Sequence, residues 1–71
     1  MDILIKFFER CLHYMDNCDT YNSRMVFVHQ AFGALSIFIE MNPDMEAEAT
    51  DLWENEYHDE MEAKAQEAWT L

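Results

Sequence analysis

From Asp2 to Asn17 the apolar residues Leu4, Phe8, Cys11 and Met15 recur at alternating spacings of four and three, and Cys18 extends the same line. Ile5, Phe7 and Leu12 widen it, while Asp2, Lys6, Glu9, Arg10, His13, Asp16 and Asn17 fall on the opposite arc. That periodicity predicts an amphipathic helix with one buried side. The polar run Asp16-Asn17-Cys18-Asp19-Thr20 ends it, and Thr20 or Asn22 is placed to cap a second helix.

Tyr21–Met41 is apolar on nearly every side. Its main line is Tyr21, Met25, Val28, Phe32, Leu35 and Ile39, flanked by Phe27, Ala31, Ala34 and Phe38. Val26, Gly33 and Ile37 fall on the other side, among Asn22, His29, Gln30 and Glu40. A helix of this kind belongs at the centre of a bundle, and even there it leaves Val26 and Ile37 over. Gly33 costs about 1 kcal/mol against alanine inside a helix. It either relieves crowding within the core or admits a partner helix, and the second use marks Val26, Gly33 and Ile37 as a self-association surface.

Asn42-Pro43-Asp44 reads as a helix start, with asparagine as the cap, proline at the first helical position and an acid in the first turn. No residue after it breaks the helix before the end of the chain. Read as uninterrupted α-helix, Trp53, Tyr57, Met61, Ala65 and Ala68 make one stripe, with Met45, Ala49, Leu52 and Ala63 beside it. The expected architecture is all-α: a compact three-helix bundle, about 2–17, 21–41 and 43–70, in a single domain spanning residues 1–71, paired as a homodimer.

Charge is distributed unevenly over this pattern. From Asn42 onward there are ten acids against one lysine, Lys64, so that stretch carries −9 of the formal −11. Such a balance repels phosphate backbones and anionic lipid, which excludes direct nucleic-acid binding and a membrane surface. Glu48, Asp51, Glu54, Asp59 and Glu62, with Asp44 and His58, share the arc away from both stripes and form an acidic face. Glu56, Glu60 and Glu67 project between the stripes, close to Trp53. There they stand as a groove edge in water, as partners of Arg24, or as a site for a basic partner. Lys64, four residues after Glu60, is placed to pair with it.

Chemistry-bearing motifs are absent. Cys11 and Cys18 are separated by about 10 Å of helical rise, too far for a disulfide, and match no zinc spacing. The Glu54, His58 and Glu62 strip faces outward, unlike the inward Glu-x-x-His pairs of ferritin-like centres. Neither a metal nor a cofactor is implied, and no serine or cysteine has an identifiable base beside it. The amino-terminal MDILIKFF lacks a secretory layout, and Met25–Ile39 falls short of the ~20 residues of a membrane span. The expectation is a cytoplasmic, non-catalytic binding protein that presents its acidic helix to a basic surface on a partner protein. In its sharpest form it is a nucleic-acid mimic, of mobile-element or phage type, that blocks a nucleic-acid-binding partner. The alternative is a structural or regulatory homo-oligomer whose acidity serves only solubility.

Overall fold

The computed structural model describes residues 1–70 and is all-helical over that range, with three helices in chain order. The first, α1, spans Asp2–Asp16. Its apolar line is the buried side: Leu4, Phe8, Cys11 and Met15 are in the core. Asn17 ends it, donating its side-chain amide to the His13 carbonyl at 3.2 Å.

The second, α2, spans Tyr21–Met41. Thr20 is its cap, in extended conformation, with Oγ1 accepting from the Ser23 backbone N–H at 3.1 Å. At the other end Asn42 behaves differently from expectation. Its side chain does not cap the helix that follows; Nδ2 turns back and donates to the Phe38 carbonyl at 3.1 Å. The reason is local: α2 leaves free carbonyls at its end, and the next segment opens as a tight 3₁₀ turn, Pro43–Met45, closed by the Met45 N–H on the Asn42 carbonyl.

The third helix, α3, spans Pro43–Thr70 and folds back at 119° to α2. After the 3₁₀ turn it is α-helical over Glu46–Leu52, π-helical over Trp53–Tyr57, α-helical again over His58–Glu67, and 3₁₀ over Ala68–Thr70. The π segment corrects the uninterrupted reading. In a pure α-helix, positions four apart drift by about 40° at each step. The line Ala49, Trp53, Tyr57, Met61, Ala65 would therefore wind away from the core. Hydrogen bonds of i→i+5 type absorb one extra residue, so Trp53 and Met61 are two turns plus that residue apart. Ala49, Trp53, Met61 and Ala65 consequently all lie buried, and Ala63, expected in a second stripe, is exposed.

The buried residues form one cluster shared by the three helices. Phe8, Met15 and Met61 are fully enclosed. Phe8 is gripped by the two rings of the π segment, Trp53 at 5.2 Å and Tyr57 at 5.0 Å between centroids. Phe32, expected in the main line of α2, is more than half exposed and touches the cluster through the edge of Trp53.

Candidate functional surfaces

One extra residue in α3 also decides where its acids point. Without it, Glu60 and Glu67 would face the core side. Shifting everything after the π segment back by about 100° moves them outward, into line with Asp44, Glu48 and Asp51. All ten acids from Asp44 to Glu67 are exposed. Glu56, Glu60 and Glu67 are all exposed, as their alternative reading as an edge in water expects; Glu60 and Glu67 owe this to the shift, while Glu56 lies within the π segment itself. The signal lay in the unbroken four-residue spacing from Ala49 to Ala65, which a straight α-helix cannot keep on one side.

Few cations answer that face. Among the described residues, the one Lys or Arg side chain within 4 Å of an α3 carboxylate is Arg24, whose Nη1 is 3.8 Å from Glu67. Arg24 is itself only 6% exposed. Its main bonds go to backbone: Nε donates to the Cys18 carbonyl at 2.9 Å and Nη1 to the Lys64 carbonyl. It ties the α1–α2 connection to the end of α3, and its contact with Glu67 is secondary. Lys64 does not pair with Glu60; it crosses to Asp16 at the end of α1. That hydrogen bond from Lys64 holds the Asp16 carboxyl below the usual aspartate range. Rephasing by the π segment is again the cause, since it swings Lys64 toward α1.

His58 sits beside the Trp53 ring at 5.5 Å between centroids. Its Nε2 is 3.3 Å from Glu62 and its Nδ1 3.5 Å from Asp59. Glu54 does not join them, and among the described residues no three His, Cys, Asp or Glu side chains converge as a metal site. Tyr57 donates to Glu9 at 3.3 Å across to α1. Burial, and then the neighbouring Glu9 carboxylate, push its phenol above the ordinary tyrosine range. Burial likewise raises the Cys11 thiol, and both cysteines are free. The serine hydroxyls are engaged locally: Ser23 accepts from Thr20 at 2.8 Å and Ser36 donates to the Phe32 carbonyl at 3.1 Å.

Two hollows mark the surface. Over the start of α3, Pro43, Asp44, Glu46, Ala47, Thr50 and Asp51 line a concavity of about 470 Å³ whose rim is acidic. At the open end of the α1–α2 hairpin, an apolar groove of about 510 Å³ is lined by Ile3, Leu4, Phe7, Ala34, Ile37 and Phe38, with Met41 and Asn42 at its edge. On α2, Ile37 within this groove is 60% exposed, and Val26, about three turns away, 50%. A Cβ placed on Gly33 would meet nothing within 4 Å. Crowding inside the monomer is therefore not why a glycine stands there. Among the described residues, no single helix is long and apolar enough to cross a membrane. Comparison with protein-family models, with curated proteins and with solved structures finds no match to this chain.

Proposed function

We propose that this protein is a non-catalytic binding protein whose acidic helix α3 occupies a basic surface on another protein. In the sharpest form that surface is one that otherwise holds nucleic-acid phosphates. The observation that carries the reading is the exposure of all ten α3 carboxylates. Unanswered like charge costs folding stability, and the chain's own cations do little to offset it: Arg24 turns inward and Lys64 goes to Asp16. A rigid helix with outward carboxylates at near one-turn intervals is pre-organised for lysines and arginines, and pre-organisation lowers the cost of binding. The acid-rimmed hollow at Asp44, Glu46 and Asp51 would receive one such side chain.

The test is capture of partners from host-cell extract by wild-type protein and by the Asp51→Lys, Glu54→Lys double variant, each washed at low and then high salt. A basic protein held at low salt, released at high salt and missed by the variant is the expected result. Retention by the reversed variant, or indifference to salt, would discard the reading.

A second reading rests on α2. Exposed Val26 and Ile37 with open space over Gly33 support a homodimer through that face, with the acids serving solubility alone. The two readings use different surfaces and are compatible in one molecule.

A further inference from the structure

We infer that the groove at the open end of the α1–α2 hairpin receives one amphipathic helix of a partner protein, an apolar ridge flanked by acids. The groove is apolar, and no residue of α3 lines it. From Ala34 to Met41 it follows α2 for two turns, about 10 Å of rise. That is the reach of side chains at i, i+3 or i+4, and i+7 on a docked helix. Ile3 on one wall and Ile37 and Met41 on the other are exposed. Further along the same hairpin Tyr14 packs on Phe27 at 5.6 Å between centroids and still leaves much of its ring open.

The charges beside the groove select the partner's chemistry. Asp2, Glu9 and Asp16 recur every seven residues, so they share one side of α1. It is the side turned to α3, where Glu9 accepts from Tyr57 and Asp16 from Lys64. The cations of α1 take the other side. Lys6 is three residues from Ile3 and Arg10 three from Phe7, so each adjoins a groove residue on the helix surface. Both are exposed, and among the described residues neither has a carboxylate within 4 Å. On α2, Glu40, three residues after Ile37, is the acid at the opposite edge. A helix seated between them meets two uncommitted cations on its α1 flank and one acid on the other. Acids over α1 therefore complement the site, and a basic flank there is repelled. The net charge of −11 does not overrule this local match. The α3 carboxylates are exposed, hence on the outer side of α3, and the body is 17 × 16 Å across its short axes. That thickness is about two Debye lengths at physiological salt.

The test adds a stapled helical peptide of about 15 residues, with leucines at three successive turns and glutamates along one flank, to isotope-labelled protein. The methyl NMR signals of Ile3, Ile37 and Met41 report occupancy of the groove, and a free peptide enters in whichever direction sets its glutamates over α1. The expected result is saturable shifts of those three methyls. Binding should weaken at least tenfold in the Lys6→Glu, Arg10→Glu double variant, with unchanged circular dichroism because both residues are exposed. The same peptide with lysines in place of glutamates should occupy the groove at least tenfold more weakly. Equal occupancy by both peptides, or undiminished binding to the double variant, would overturn the inference. So would methyls unmoved by millimolar glutamate peptide, or methyls that shift with protein concentration alone, which would make a second copy the occupant. None of these outcomes bears on the acidic face of α3.

Discussion

Replacing Arg24 by methionine keeps most of the aliphatic stem but removes the guanidinium that spans two carbonyls, those of Cys18 and Lys64. Hydrogen bonds from a charged donor are worth roughly 1.5–3 kcal/mol each. Two such bonds sum to about 3–6 kcal/mol; burying a cation has its own desolvation cost, which its removal returns, so the net loss is smaller, about 2–4 kcal/mol. A 71-residue domain has only about 3–5 kcal/mol to lose. At about 4–8 °C per kcal/mol, the Arg24→Met melting temperature should fall by about 10–25 °C. Glu67→Gln separates the two possible meanings of the site. Glu67 is 67% exposed and 3.8 Å away, so its loss should cost less than about 1 kcal/mol. Arg24→Lys, which keeps charge but not the two-carbonyl reach, should fall between them. Thermal unfolding by circular dichroism at matched concentration measures all three. Equal losses in Arg24→Met and Glu67→Gln, or a wild-type melting point in Arg24→Met, would refute the view of Arg24 as a backbone tie.

Deleting the exposed Asn55 should convert the π segment to α-helix and leave a folded protein, because Trp53 and Met61 then stand two full turns apart. Deleting the exposed Glu62 from the regular segment should unfold it by turning Ala65 away from the core; circular dichroism and near-ultraviolet tryptophan signals distinguish the two. The Asp16 carboxyl, depressed by Lys64, contributes stability that is complete above the ordinary aspartate pKa and lost as pH falls through its lowered value. Carbon-detected NMR titration should show it rising toward the usual range in Lys64→Met, and no change there would remove the inter-helix bond. Tyr57 has the opposite sign: its phenol pKa is raised, so its contribution is complete below about pH 10 and lost as pH rises through the folded value. Spectrophotometric titration of Glu9→Gln should bring Tyr57 back part of the way, burial being the larger cause. Thiol reagents should label half-buried Cys18 well before Cys11 in the native state; equal rates would contradict the packing of α1.

Much of this molecule was legible along the chain, and the reason is periodicity. A helix against a core must repeat its apolar residues every three or four positions, so Leu4, Phe8, Cys11 and Met15 declare the buried side of α1 without any knowledge of what covers them. Thr20 and Asn22, both placed before an apolar helix, mark its start for an equally local reason, and the structure takes Thr20 as the cap. The acidity of the last helix is a matter of composition. Where those carboxylates point was not local. It depends on whether five residues, Trp53–Tyr57, hydrogen-bond to i+4 or i+5, a choice made by the need to keep Ala49, Trp53, Met61 and Ala65 on one core at unbroken four-residue spacing. Tertiary packing made that choice, and with it turned Glu60 and Glu67 into water and sent Lys64 to Asp16. Arg24 shows the same division. Its residue type and neighbourhood were visible in sequence, but only three packed helices bring the Cys18 and Lys64 carbonyls within reach of one guanidinium, since forty residues of chain separate Arg24 from Lys64.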